Sequence, residues 1–546
     1  MSEVLARTWT TPPAPADWPE LGLPEIAARS PIGLCFSGGG TRALAAAWGQ
    51  LRALKALGVL DQARWISGVS GGSWAAGIYT FQRQSDEATL LGEPADPASL
   101  TLAELSVVLD ASSLGHAATY DVSGWLRAGV HDAGSQSRQW GRAVGVGLLA
   151  PYGLYDTGTV EALVASAEHA DEILSRPGNR AALGGVQLRA PSPDRPFLVV
   201  NACVLGPERD LPLAEERPIP IEFTPWYAGI AGTQTGVFRS RHGALKRVVD
   251  AIVGDTRPGT TVAPLGGWIG ESFAFGGAPA ALRPGVQSVP APASPWSLAD
   301  VLGASSSAWA GVLEEFPGLG ELYGLAPRAT LWPGWTWRAP PADDFALGDG
   351  GILENFGIPA LLRRGAERLW VFVNTATPLA TDWEPGDDAP KSDQMDAYLP
   401  ALFGRPVASV GTTTVDNLVL DPSGFAPLVR ALQAERKAGR PVIARLKHRV
   451  VPNPVWGLSG GGEVGITWVY LDRVPAWEAR LCDPELCAAV SAGERAHLST
   501  GPLRHFPHYA TSEENWGHGL ALTAVQARTL AELTCWGVLS WSNARS

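Results

Sequence analysis

The clearest pattern in the chain is an alternation of short apolar runs with segments of helical periodicity. Residues 32–36 and 64–68 are short, mostly apolar runs that predict buried strands. Between them, residues 41–57 repeat apolar side chains at every third or fourth position, which predicts a helix. A second helix is predicted over residues 73–82. Strands that alternate with helices indicate an α/β sheet.

Four more strands and a closing helix are predicted further along the chain. The strands lie at residues 196–205, 369–374, 442–446 and 464–471, and the helix at residues 520–533. We therefore predict an α/β fold of three layers, with a mostly parallel central sheet and helices on both faces. The predicted division is an N-terminal extension at residues 1–30 and a single domain at residues 31–546.

Residues 206–341 differ from the rest, because turn signals are frequent there and clean periodicity is rare. We interpret this stretch as a cap or lid insertion over the sheet; an ordinary loop-rich half of the domain is the alternative. A second loop, at residues 376–400, carries six acidic residues. It lacks the twelve-residue pattern of an EF-hand, so we interpret it as a solvated surface loop and predict no metal site.

Composition narrows the possible functions. The 546 residues include 42 Lys and Arg against 54 Asp and Glu, a net charge of −12, which argues against binding nucleic acid. Hydrophobic residues make up 45%, too many for a disordered chain. Five cysteines without paired spacing fit a reducing compartment. With no leader pattern and no apolar run of spanning length, we expect a cytoplasmic protein.

The first segment with chemical character is Ser37-Gly-Gly-Gly-Thr-Arg42, which lies between a predicted strand and a predicted helix. Three glycines there leave main-chain N–H groups accessible beside the positive end of the helix, an arrangement that binds an anion or an oxyanion. The dinucleotide and P-loop patterns are both absent. The alternative is that these glycines only allow the chain to make a tight turn and bind no anion.

A second segment, Gly68-Val-Ser70-Gly-Gly72, contains the pattern G-x-S-x-G between the next strand and helix. That context is typical of a nucleophile elbow, in which a sharp turn raises the serine above the sheet. Gly40 and Ser70 are thirty residues apart, the length of one strand-helix-strand unit. A right-handed crossover would bring both loops to the carboxyl edge of one parallel sheet. A nucleophile would then face an oxyanion hole.

A serine hydroxyl needs a base at neutral pH. All nine histidines follow Ser70, and none lies in a marked turn motif. A clearer candidate is Asp349, which follows a possible strand at residues 345–347 and stands between glycines in Leu347-Gly-Asp-Gly-Gly351. Flanking glycines let a carboxylate project without steric cost. An ordinary turn aspartate is the alternative.

Taken together, the three segments resemble the catalytic core of the patatin-like and cytosolic phospholipase A2 / phospholipase B hydrolases. The resemblance rests on SGGGTRA at 37–43, GVSGGSW at 68–74 and DGGILEN at 349–355, in that order. It implies a catalytic domain at residues 31–546 that needs no cofactor. The first two motifs favour the phospholipase A2 and B branch over plant-type patatins.

The resemblance also implies roles for five residues. Ser70 is the nucleophile and Asp349 the general base of a Ser-Asp dyad. The N–H groups of Gly39 and Gly40 form the oxyanion hole, and Arg42 binds the substrate phosphate. The expected reaction is hydrolysis of fatty-acyl esters of glycerophospholipids or lysophospholipids through an acyl-enzyme.

Two alternatives to this function stay open. One is a carboxylesterase of the α/β-hydrolase type with a Ser-His-Asp triad, for which His505, His508 and His518 are the candidate bases. The other is a non-catalytic relative that binds lipid or phosphate.

Tryptophan bears on the expected partners. The phospholipid or lysophospholipid substrate implies transient contact with a membrane surface, for which indole rings are suited. Core packing is the alternative use of these rings. The tryptophans in or near the predicted cap are Trp226, Trp268, Trp296, Trp309, Trp332, Trp335 and Trp337.

Overall fold

The computed structural model describes most of the chain. The described residues are 3–10, 13–122, 138–206, 218–239, 260–277, 283–292, 294–312, 326–331, 343–408, 417–493, 500–510 and 520–545. Their strands are β1 Glu3–Thr10, β2 Ser30–Phe36, β3 Ala63–Val69, β4 Val160–Leu163, β5 Val186–Arg189, β6 Phe197–Gly206, β7 Ile219–Phe223, β8 Tyr227–Arg239, β9 Thr260–Glu271, β10 Gly285–Pro290, β11 Arg328–Leu331, β12 Asp343–Asp349, β13 Arg368–Val373, β14 Ile443–Arg449 and β15 Glu463–Tyr470.

The α-helices of the same residues range from single turns to five turns. They are α1 Pro24–Ala27, α2 Gly40–Ala56, α3 Val59–Gln62, α4 Gly71–Phe81, α5 Glu87–Leu91, α6 Leu102–Leu105, α7 Gln139–Val144, α8 Ala167–Ser175, α9 Asn179–Ala182, α10 Leu298–Ser305, α11 Ala308–Val312, α12 Ile358–Arg363, α13 Phe425–Lys437, α14 Pro475–Glu478, α15 Pro484–Gly493 and α16 Ala524–Asn543.

Thirteen of the strands form one mixed sheet. Eleven of them follow the order β10-β1-β9-β8-β7-β6-β3-β2-β13-β15-β14, and β12 pairs with both β6 and β11. The predicted α/β fold is confirmed, but within this sheet only the neighbours from β6 to β15 run parallel. Strands β4 and β5 form a separate parallel pair. The other pairs are antiparallel, so "mostly parallel" holds for the centre of the sheet alone. Strands β6, β7, β8 and β9 follow one another in the chain, and each pairs antiparallel with the next.

Helices pack on both faces of the parallel centre. A Cβ on Gly33 would lie 2.5 Å from Leu361 of α12, and Ser67 donates a hydrogen bond to the Gly357 carbonyl beside that helix, at 2.9 Å. A Cβ on Gly68 would lie 2.6 Å from the Cα atom of Ser73 in α4. Because successive strand residues point to opposite faces, α12 and α4 cover different sides of the sheet.

The predicted strands of the centre agree with β2, β3, β6, β13, β14 and β15 to within a few residues. The closing helix differs, since α16 starts four residues later than predicted and continues to Asn543. Thr523 and Gln526 form a capping box that sets its start. Its extra turns bury Val538 and Trp541, which a pattern ending at residue 533 misses.

Described parts of residues 206–341 contribute strands to the central sheet. Strands β7 to β10 extend it beyond β6, and β11 pairs with β12. Residues 207–217, 240–259, 278–282, 313–325 and 332–342 lie outside the described residues. A cap over the site therefore stays a prediction.

The described residues among the first thirty, 3–10 and 13–30, pack into the same fold. Strand β1 pairs with both β9 and β10. Trp18 is buried, and the buried carboxylate of Glu20 accepts hydrogen bonds from Trp65 and Arg364. In this structure the segment is thus attached to the domain by main-chain pairing and by a buried ion pair. The predicted boundary at residue 30 stays a prediction.

The described tryptophans of the predicted cap lie mostly in the interior. Trp268, Trp296 and Trp309 are buried, and Trp226 is half-buried. Trp296 stacks on Phe223, with 5.4 Å between ring centroids. These four rings serve packing, and Trp332, Trp335 and Trp337 lie outside the described residues. Within the described part of the chain, no helix has both the length and the apolar character needed to cross a bilayer.

Candidate active site

Ser70 occupies the turn between β3 and α4. Its main-chain angles are φ 50° and ψ −126°, which few residues other than glycine adopt. Such a conformation costs of order 1–3 kcal/mol, and it persists only where the surroundings enforce it. A Cβ on Gly72 would lie 2.3 Å from the Phe36 carbonyl oxygen, so the turn requires glycine there. This is the strained geometry expected of a nucleophile elbow.

The glycine turn between β2 and α2 lies directly against this elbow. A Cβ on Gly71 would lie 2.0 Å from the carbonyl oxygen of Gly40, and one on Gly38 would lie 3.0 Å from the Ser70 Cβ atom. Gly39 has φ 131°, a conformation that favours glycine. The structure thus brings the two predicted loops together at the carboxyl edge of the parallel strands.

Asp349 ends β12 and reaches the same place. Its carboxylate accepts a hydrogen bond from the Gly351 N–H at 2.7 Å and lies within reach of a second one from the Ser70 side chain. The side chain is buried, and burial raises the pKa of Asp349 to about 7, although both hydrogen bonds act to lower it. The predicted nucleophile and the predicted base are therefore neighbours.

Asn355 links the loop that follows Asp349 to the glycine turn, and no role was predicted for it from the sequence. Its carbonyl accepts a hydrogen bond from the Gly38 N–H at 3.0 Å. Its Oδ1 atom would lie 2.3 Å from a Cβ on Gly38 and 2.8 Å from one on Gly351. The amide therefore fills the space between the two loops. Its place in the DGGILEN motif was the available signal.

Arg42, which is predicted to bind the substrate phosphate, lies in the protein interior and contacts main-chain carbonyl groups. Its side chain is buried; Nε donates to the Asn374 carbonyl at 3.0 Å and Nη1 to the Tyr509 carbonyl at 2.6 Å. Nη2 would lie 2.5 Å from a Cβ on Gly39. Burial lowers the pKa of Arg42 to about 10, and the charge of Asp396 partly offsets this. These contacts hold the glycine turn, while binding of a phosphate by Arg42 stays a prediction.

The surface-loop interpretation of residues 376–400 is wrong for Asp396, which is buried. Its carboxylate accepts hydrogen bonds from the Thr375 side chain and from the N–H groups of Tyr398 and Leu399. Burial raises the pKa of Asp396, and the nearby charge of Arg42 acts in the opposite direction. The sequence gives no sign of this, because Asp396 stands beside exposed acids of the same loop.

The two described candidate histidines of a triad, His505 and His508, have hydrogen-bond partners other than Ser70. The ring nitrogens of His508 lie 3.2 Å from the Thr375 carbonyl oxygen and 3.5 Å from Oδ1 of Asp472. His505 accepts a hydrogen bond from Arg504 at 2.9 Å. His518 lies outside the described residues. The carboxylate of Asp349 lies beside Ser70.

Comparison with known proteins agrees with the motifs. Residues 32–122 match a family model. That model describes the lysophospholipase catalytic domain. This match contains the glycine turn and the elbow, and it confirms the resemblance to phospholipases stated from the sequence. Asp349 lies beyond the matched segment.

Solved structures of one human enzyme are also similar to this chain. Human GIVD cytosolic phospholipase A2 is 14% identical with a TM-score of 0.42, and the similarity covers 94% of this chain and 59% of that one. The same enzyme in complex with methyl gamma-linolenyl fluorophosphonate is also 14% identical with a TM-score of 0.41, covering 95% and 59%. The chain thus spans about three-fifths of the length of that enzyme. No curated protein sequence matches the chain.

Proposed function

We propose that the protein hydrolyses fatty-acyl esters of glycerophospholipids or lysophospholipids. The observation that carries this proposal is that the buried carboxylate of Asp349 lies beside Ser70 and the glycine turn. The match to a lysophospholipase catalytic domain supports the lipid substrate. The proposed setting is cytoplasmic, with transient contact at a membrane surface.

The first half of the proposed reaction forms an acyl-enzyme. The Ser70 oxygen attacks the ester carbonyl carbon while Asp349 accepts the hydroxyl proton. Main-chain N–H groups of Gly39 and Gly40 hold the negative oxygen of the tetrahedral intermediate. The intermediate collapses, the bond to the glycerol oxygen breaks, and that oxygen leaves with the proton from Asp349.

The second half regenerates the serine. Asp349 accepts a proton from water as the water oxygen attacks the acyl carbon. The bond to Ser70 then breaks, Ser70 recovers a proton from Asp349, and the fatty acid departs. One carboxylate thus serves both steps, which a base with a pKa near the working pH does best.

The proposal as a whole is tested with purified protein on mixed liposomes. We expect release of free fatty acid, together with labelling of Ser70 by a fluorophosphonate probe that is located by peptide mass spectrometry. A non-catalytic binder would retain the lipid, release no fatty acid and stay unlabelled, and that result would overturn the proposed function.

The activity is expected to rise with pH. Only the ionised Asp349 accepts a proton, and its pKa of about 7 in the free protein sets kcat/KM. Below that value kcat/KM should fall roughly tenfold per pH unit, and above it the value should level off. The measurement is kcat/KM from pH 5 to 9 on a lysophospholipid kept below its critical micelle concentration. A profile that is flat over this range would contradict Asp349 as the base.

Arg42→Lys is expected to lower kcat on phospholipid and on neutral monoacylglycerol alike, by roughly 10- to 100-fold. Lysine has one ammonium group and cannot reach both the Asn374 and Tyr509 carbonyls as the guanidinium does. The glycine turn would then lose its support whatever the substrate. A loss confined to the phospholipid would instead assign Arg42 to the phosphate.

The matched control for this experiment is Arg29→Lys. Arg29 also donates to main-chain carbonyls, those of Asp61 and Ala63, but it precedes β2 at the opposite end of the strand. We expect this variant to keep the rate of the unaltered protein on both substrates.

A further inference from the structure

The main-chain N–H of Ser70 has a partner outside the predicted site. This N–H donates to Ser305, at 3.1 Å to the hydroxyl oxygen and 3.1 Å to the carbonyl oxygen. Ser305 is the last residue of α10 and is fully buried. A carbonyl at a helix end has no partner within its helix, so that of Ser305 is available to Ser70.

The Ser305 hydroxyl is fixed in direction by a second contact. Its proton is donated to the carbonyl of Asn201, at 2.6 Å. Because a hydroxyl has a single proton, its lone pairs then face the Ser70 N–H. The Asn201 side chain in turn donates to the Ser67 hydroxyl and the Gly68 carbonyl, at 2.9 and 3.0 Å. Strand β6, helix α10 and the elbow are thus joined by one chain of hydrogen bonds.

Helix α10 is itself held firmly. A Cβ on Gly303 would lie 2.8 Å from the Cα atom of Gly141, so α7 and α10 approach within backbone contact. Near the start of α10, Arg138 forms an ion pair with Asp300 at 2.9 Å. The end that carries Ser305 is therefore a rigid support for the elbow rather than a movable one.

Together with the strained main chain of Ser70, these contacts point to a role. We propose that Ser305 is a positioning residue. Its hydroxyl oxygen accepts a hydrogen bond from the Ser70 N–H and thereby keeps the Ser70 side chain directed at Asp349. This inference rests on the proposed function, because it concerns the rate at which Ser70 is acylated. Ser305 itself contacts neither the ester nor the proton that is transferred.

The test compares Ser305→Ala with Ser306→Ala. Ser306 is a buried neighbour whose hydroxyl bonds to the Leu302 carbonyl and to Trp140 instead of Ser70. We expect Ser305→Ala to lower kcat about three- to tenfold with KM unchanged, since one neutral hydrogen bond to the elbow is lost. Ser306→Ala should keep kcat. Both variants should lower the midpoint of thermal unfolding, so that stability alone does not separate them.

A third variant, Ser305→Cys, tests the proposal in the event that Ser305→Ala folds poorly. Ser305→Cys keeps the packed volume but offers a weak acceptor, so we expect a kcat between those of the unaltered protein and Ser305→Ala. The proposal is overturned if Ser305→Ala and Ser305→Cys keep full kcat, or if Ser306→Ala loses as much. Failure of the proposed function would look different, because the unaltered protein would then release no fatty acid.

Discussion

Ser70→Ala is expected to lower the rate of fatty-acid release by on the order of 10⁴-fold or more, because the acyl-enzyme cannot form without the hydroxyl oxygen. Alanine can keep the main-chain hydrogen bond to Ser305, and the elbow is packed by glycines rather than by the serine oxygen. We therefore expect the variant to fold and to bind lipid. The measurement is release of labelled fatty acid from liposomes, together with loss of fluorophosphonate labelling.

An exposed serine provides the control for this variant. Ser99 donates its hydroxyl proton to the Asp96 carbonyl in a short 3₁₀ turn. Ser99→Ala should keep both activity and labelling. If Ser70→Ala released fatty acid at the rate of the unaltered protein, another residue would be the nucleophile, and the proposed reaction would have to be abandoned.

Asp349→Asn is expected to lower kcat by about 10²–10⁴-fold at pH 8, the usual contribution of a general base. The amide keeps an oxygen for the Gly351 N–H, so the loop should keep its conformation. It cannot accept a proton from Ser70. The measurement is kcat on a lysophospholipid, and the dependence of the residual rate on pH near 7 should also disappear.

His508→Asn is the control that separates a dyad from a triad. His508 is bonded to Thr375 and Asp472, so its replacement should leave the rate within about threefold. If Asp349→Asn retained full activity while His508→Asn lost it, the Ser-His-Asp alternative would take the place of the dyad.

The centre of the fold could be predicted because its pattern is local. Apolar strands, periodic helices and the thirty-residue spacing of Gly40 and Ser70 follow from a strand-helix-strand unit. The antiparallel half could not be predicted in the same way. Strands β7, β8 and β9 pair antiparallel within a stretch rich in glycine and proline, where turn signals obscure the strand pattern.

The candidate site, like the fold, could be predicted only where a local sequence motif marks it. Ser70 and Asp349 each stand in a glycine-flanked motif, and the resemblance to phospholipases joined them across a long stretch of chain. No sequence motif marks the residues that hold Ser70 and the glycine turn in place. Ser305, Asp396 and the main-chain partners of Arg42 come from segments far apart in sequence. Only tertiary packing brings Ser305 to the elbow and the others close to Arg42.

The burial of Asp349 has a consequence for the energetics of the whole fold. Its carboxyl holds a proton in the folded chain up to a pH of about 7, whereas in an unfolded chain the proton is lost near the ordinary value of 3.8. Between those values unfolding releases a proton, so this group favours the folded state less and less as the pH rises. The pH range in which Asp349 is ionised and catalysis is expected to be fastest is therefore also the range in which this group lowers the free energy of unfolding most.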